Sequence, residues 1–195
     1  MPMTEILMFH HAQGLTAGVS HLADRFRAAG HVVHTPDLYT GHVFEDLEEG
    51  LDHARSVGFG EVAARGLRAA ADLGTRDLVV AGLSLGAMPA QELAQTSPSV
   101  RGALLLHGCI PRQEFGDGTW PAGVPVQVHG MDADPFFAGE DLDAARDLVA
   151  VADDAELFVY PGGEHLFSDD SLPSYDDAAT ALLTQRVLTL LRRVG

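Results

Sequence analysis

The sequence predicts one α/β domain spanning residues 1–195, a mostly parallel, doubly wound sheet flanked by helices, with no large cap domain. Three observations predict it. Short apolar runs recur along the chain, and they are mostly continuous rather than alternating, as expected of strands covered on both faces. Longer segments with helical periodicity separate them. The chain has 195 residues, 46% of them hydrophobic, which is enough to bury one core and too short for two ordinary domains.

Taken in order, Ile6–Phe9 reads as the first strand and His31–His34 as the second. Leu78–Ala81 is the third, Ala103–Leu106 the fourth, Val124–Val128 the fifth and Leu157–Tyr160 the sixth. Between the first two, Val19, Leu22, Ala23, Phe26 and Ala29 make one helical stripe, and Gly30 is placed to stop it. Met88–Gln95 is helical, and Leu142, Ala145, Val149 and Ala152 mark a shorter helix. Near the C-terminus, Ser174 with Asp177 three residues later predicts a helix start, and Leu183, Val187, Leu190, Leu191 and Val194 form its buried face. Pro111–Gly123, with three glycines and two prolines, reads as a loop. No repeats, low-complexity tracts or linkers interrupt the pattern.

Composition narrows the partners. Twelve Lys and Arg against 28 Asp and Glu give a formal net charge of −16. Such a field repels phosphate backbones and acidic membrane surfaces, so neither nucleic acid nor membrane is expected as a partner. Cys109 is the single cysteine, so no internal disulfide can form. Met1–Glu5 lacks the basic and apolar regions of a signal peptide, and no apolar run reaches membrane-spanning length. The expected compartment is the cytoplasm.

The chemistry is carried by Gly82-Leu83-Ser84-Leu85-Gly86, a G-x-S-x-G that follows a strand and precedes a helix. A serine lifted on a sharp strand-to-helix turn needs small neighbours, because backbone packs closely there. Serine at its free pKa is a poor nucleophile, so a base must take its proton and a third group must orient that base. Two later loops supply them at the carboxyl edge of the sheet, where ligands of such folds bind. One is His129-Gly130-Met131-Asp132-Ala133-Asp134-Pro135-Phe136 and the other Pro161-Gly162-Gly163-Glu164-His165-Leu166-Phe167. His165 is the base, and spacing leaves Asp132 and Asp134 both open as the acid. Two backbone N–H groups should form an oxyanion hole, Leu85 next to the nucleophile and Ala12 after the first strand.

These stretches resemble the dienelactone hydrolase family of α/β-hydrolases along nearly the whole chain. Pro36-Asp37-Leu38-Tyr39 is similar to its P-D-L-Y, and Ser84 stands where the family has the cysteine of G-x-C-x-G. Asp134-Pro135-Phe136, five residues beyond His129, is similar to the family's acid in its D-x-F setting, which favours Asp134 over Asp132. Tyr160, His165 and Phe167 match the base loop. Two positions depart from the family. Its glutamate before the oxyanion donor is replaced by His11, a candidate modulator of the nucleophile. Its arginine four residues beyond the histidine, which holds a substrate carboxylate, is replaced by Asp169.

Other features have plainer readings. The ten histidines show no metal-ligand spacing, so no metal or other cofactor is expected. His10, His107 and His129 end strands near the presumed site as structural or pocket-lining groups. Cys109 reads as a small buried apolar residue. Phe115, Trp120, Phe136 and Phe137 flank the acid and either line an apolar pocket or pack on the core. Asp46, Glu48 and Glu49 read as a solvated surface. The expected activity is hydrolysis of a small ester or lactone through an acyl-enzyme intermediate, with a small-molecule partner; a homodimer is compatible with the sequence. A thioesterase or peptidase using the same residues, and a non-catalytic binding protein retaining the fold, are the competing readings.

Overall fold

A computed structural model describes residues 3–195. Six strands form one sheet: β1 (Glu5–Phe9), β2 (Val32–His34), β3 (Leu78–Leu83), β4 (Val100–Leu106), β5 (Val126–Met131) and β6 (Ala155–Tyr160). Their spatial order is β2-β1-β3-β4-β5-β6, with every neighbouring pair parallel. Six helices cover it: α1 (Ala17–Ala28), α2 (Leu47–Val57), α3 (Phe59–Leu73), α4 (Ala87–Thr96), α5 (Glu140–Val151) and α6 (Asp177–Val194). The expected doubly wound α/β architecture is present. No helix among the described residues is long and apolar enough to cross a membrane.

The central strands β1, β3, β4 and β5 are buried on both faces for a simple reason. Successive strand residues point to opposite sides, so Ile6, Met8, Val79 and Ala81 pack with α1 and α6, through Phe26, Leu183 and Leu190. Leu7, Phe9, Val80 and Leu105 face the other layer, through Ala54 of α2, Val62 of α3, Leu93 of α4 and Leu148 of α5.

Local chemistry sets the helix ends. Thr16 caps α1 by accepting Val19 N–H at 3.2 Å, and Gly30, in the left-handed region at φ 95°, lets the chain leave it. The C-terminal helix begins two residues later than Ser174, because the Asp176 carboxylate accepts the Ala179 N–H at 2.9 Å and is the true cap. The fifth strand is shifted along the chain: it starts at Val126 and runs on to Met131, so His129 lies inside it rather than at its end. Two helices, α2 and α3, have no counterpart in the sequence reading. Asp46 is exposed as expected, but its carboxylate also caps α2 by accepting Glu48 and Glu49 N–H.

The order β2-β1-β3 makes the chain change direction between β1 and β3. Loops leaving the carboxyl ends of those two strands therefore part and open a crevice, the position at which such sheets bind ligands. Ala12 lies on one loop and Ser84 on the other.

Candidate active site

The turn that carries Ser84 is built by its flanking glycines. A Cβ on Gly82 would strike the Gly86 carbonyl and come within 2.6 Å of Ala87 N, and one on Gly86 would come within 2.7 Å of the His10 carbonyl oxygen. Ser84 itself has φ 50°, a left-handed conformation that costs a non-glycine residue on the order of 1 kcal/mol or more. His107 (φ 60°) and Leu166 (φ 61°), next to His165, share it. Three of the five such non-glycine residues among those described thus cluster at one end of the sheet.

The structure brings Ser84, His165 and Asp134 together. Ser84 Oγ lies 2.9 Å from His165 Nε2, and His165 Nδ1 lies 2.7 Å from Asp134 Oδ2. A carboxylate can only accept, so the imidazole proton sits on Nδ1 and leaves Nε2 to accept from the serine hydroxyl. Asp134 is fully buried, and its other oxygen accepts Phe136 N–H at 2.9 Å. Asp132 does not join them: it is exposed and accepts Gly162 N–H at 3.0 Å, tying the two loops together. Phe136 tilts over the imidazole at 4.7 Å between ring centres.

Ala12 is almost fully buried, yet among the described residues its N–H finds no acceptor. Leu85 N–H belongs to the opening turn of the helical stretch, whose first amides have no intrahelical partner. The loop that carries Ala12 is held from below. His10 Nδ1–H donates to the His11 carbonyl at 2.8 Å, and its Nε2 accepts Leu38 N–H at 3.0 Å, from the Pro36–Tyr39 segment. Burial drives the His10 pKa down to about 4, which keeps Nε2 free to accept. On the other side, Gly50 of α2 lets that helix approach the Ala12 and Gln13 backbone, where a Cβ would clash.

The two departures from the family meet each other. His11 Nε2–H donates to Asp169 Oδ2 at 2.8 Å, with both side chains fully buried. His11 Nδ1 accepts Gln13 N–H at 3.2 Å, so the ring is neutral, and burial lowers its pKa further. Neither ring nitrogen is free for Ser84. Asp169 also accepts the Thr16 hydroxyl and, on its other oxygen, the Ser171 hydroxyl and N–H. Burial pushes the Asp169 carboxyl up, but the bonds from His11, Ser171 and Thr16 outweigh it and hold the pKa at about 2. Gly18, in the first turn of α1, makes room for this cluster, since a Cβ there would overlap the Asp169 carboxylate and reach within 2.8 Å of Asp170 N. Glycine to alanine in a helix usually adds about 1 kcal/mol of stability. Here Gly18→Ala is expected to lower the unfolding temperature instead, measurable by thermal unfolding followed by circular dichroism.

The remaining candidates divide. His107 Nε2 meets the Ser168 hydroxyl at 2.7 Å beneath the site, while His129 is bonded to Tyr160 and Gln127 inside the sheet, a structural placement. Burial lowers both pKa values, His129 to about 3. Cys109 is fully buried, and burial raises its thiol pKa. Of the four aromatics, Phe136 lines the pocket, Phe115 is buried away from it, Phe137 is buried against Gly130, and Trp120 packs on the core with its N–H on the Val124 carbonyl. Among the described residues no cluster of three His, Cys, Asp or Glu could hold a metal ion.

Ser84 and His165 open into a pocket of about 240 Å³ whose walls are largely apolar, from Leu51, Phe59, Leu85, Met88, Ile110 and Phe136. Leu51 and Phe59 come from the two helices that the sequence reading missed. Asp141 is a further polar lining residue that it missed, and its signal was its phase: it precedes Ala145 and Leu148, on the buried side of α5, by one and two turns.

Comparison with known proteins agrees with this architecture. A dienelactone hydrolase-like promiscuous phosphotriesterase from metagenomic libraries superimposes with a TM-score of 0.77 at 21% identity, covering 99% of this chain and 87% of that one. A candidate dienelactone hydrolase from Klebsiella pneumoniae gives 0.72 at 18% identity, over 96% and 86%. A thioesterase of prodiginine biosynthesis from Streptomyces coelicolor gives 0.62 at 17% identity, over 93% and 85%. No curated protein matches the sequence. The profile of the dienelactone hydrolase family matches residues 1–195, and the chain belongs to that family of α/β-hydrolases.

Proposed function

We propose that the chain is a serine hydrolase that cleaves a small ester or lactone through an acyl-enzyme intermediate. The observation that carries this reading is the unbroken relay from Ser84 Oγ through His165 to a buried Asp134, at 2.9 and 2.7 Å. Ser84 attacks the carbonyl carbon as His165 Nε2 takes its proton, and Asp134 stabilises the resulting imidazolium. The N–H groups of Leu85 and Ala12 receive the oxyanion, each worth on the order of 3 kcal/mol in the transition state. The imidazolium returns its proton to the leaving alcohol. A water, deprotonated by the same imidazole, then attacks the acyl-serine and releases the acid and Ser84. With Asp169 locked onto His11, Thr16 and Ser171, no cation stands where the family holds a substrate carboxylate, which favours esters without one.

A fluorophosphonate probe tests the reading, because only an activated serine reacts with it. Labelling should map to Ser84 and abolish hydrolysis of 4-nitrophenyl butyrate. An unlabelled protein without ester turnover would leave a binding protein that kept the fold.

A further inference from the structure

Asp141 is the one carboxylate lining the pocket, and the relay makes no use of it. Its Oδ2 accepts the Cys109 N–H at 3.0 Å, while Oδ1 has no hydrogen-bond partner among the described residues. A methyl group built on Gly108 would stand 3.3 Å from Ser84 Cα and 3.4 Å from Asp141 Oδ2, so the carboxylate and the Ser84 backbone flank the same point. Most of the wall around them is apolar. Burial pushes the Asp141 carboxyl up to about 6; the Cys109 N–H and His165 pull it down, and Asp134 and Glu140 reinforce the rise. At neutral pH the group is still mostly ionised, at a cost to folding. A destabilised charge that lines the pocket beside the reacting groups is a candidate ligand contact.

We propose that Asp141 selects substrates by charge: the pocket takes small esters that carry a protonated amine and turns away those that carry a carboxylate. This inference rests on the serine-hydrolase reading and names its substrate class. A protonated amine would supply the donor that Oδ1 lacks, in a charge-assisted bond strengthened by the apolar surroundings. A carboxylate would meet a like charge at close range, in a protein that already carries a net charge of −16. The apolar walls accommodate the hydrocarbon part of the ester.

Three butyrate esters of nearly equal size test this: 2-(dimethylamino)ethyl, protonated at neutral pH; 3-methylbutyl, its uncharged isostere; and 2-carboxyethyl. Their dissociation constants are measured by calorimetry on the Ser84→Ala protein, which holds the ester uncleaved. The amine ester should bind about tenfold more tightly than its isostere and the carboxylate ester about tenfold more weakly. In Ser84→Ala/Asp141→Asn, which keeps an acceptor for Cys109 N–H and loses the charge, the amine and neutral esters should agree within about twofold. An amine preference missing from the first protein, or unchanged in the second, would overturn the proposal.

Folding is checked at the same time. Because the folded carboxyl binds its proton more tightly than an unfolded one, ionisation above about pH 6 costs stability. Asp141→Asn should therefore unfold at a higher temperature than the parent at about pH 8, with the difference shrinking toward about pH 4. Failure of the hydrolase reading is separable: a parent that turns over no ester while Ser84→Ala keeps the binding order would lose its chemistry and retain its charge selection.

Discussion

Ser84→Ala should lower ester turnover by about a million-fold, and Asp134→Asn by about ten-thousand-fold, while Asp132→Asn should change it by less than about threefold. The first value follows from the loss of the attacking atom, since the members of such a relay act as a unit. The second follows from proton bookkeeping. Phe136 N–H needs an acceptor, so the carbonyl oxygen of an asparagine at 134 would take the place of Oδ1 and turn its NH2 toward His165. Facing a donor, His165 Nδ1 must accept, and the ring proton moves to Nε2. That nitrogen then meets Ser84 Oγ as a donor and cannot receive its proton. Asp132 only accepts Gly162 N–H, which asparagine does as well. Initial rates with 4-nitrophenyl butyrate, with circular dichroism to show that each variant is folded, decide the matter. Equal losses at 132 and 134 would sink the assignment of the acid.

The two aspartates illustrate what could be read from residues in order. Both sit on the loop after β5 within three residues, and spacing admits either. Burial separates them, and burial depends on which way a loop turns. The six strands were legible because most carry a continuous apolar run, although their ends moved where Gly130 and Met131 extend β5 past Val128. The Ser84 turn was legible because close backbone approach admits little but glycine at 82 and 86. Helices α2 and α3 were harder to see. Their buried positions are Gly50, Ala54, Val62, Ala63 and Gly66, mostly small residues, while the larger apolar side chains of the same helices, Val57, Leu67 and Leu73, are only partly buried. The Asp46 cap is the available signal, but in sequence Asp46, Glu48 and Glu49 are equally a solvated surface. Without those helices the pocket walls at Leu51 and Phe59 could not be placed. His11 and Asp169, 158 residues apart in sequence, looked like two separate losses until the fold put them 2.8 Å from each other.

That contact carries a large expected effect on stability. Asp169→Ala should cost about 3–5 kcal/mol of unfolding free energy at neutral pH, because it strands the buried donors of His11 and Thr16, releases the bonds from Ser171 and opens a void. Asp169→Asn is no remedy. Its NH2 would face either the His11 Nε2–H or the Ser171 N–H, both donors. His11 cannot yield by shifting its proton to Nδ1, since Nδ1 already accepts Gln13 N–H. A loss above about 2 kcal/mol is expected for this variant too. The pH dependence follows from the sign of the shift. The folded carboxyl, at about 2, lies below its ordinary 3.8, so its contribution is complete above the unfolded value and is lost as pH falls from about 4 toward 2. Urea unfolding at neutral pH and at about pH 3 should therefore show the gap between parent and Asp169→Ala narrowing with acid. A gap that stays constant, or one smaller than about 1 kcal/mol at neutral pH, would mean that Asp169 is not the buried anion around which the His11 loop is built.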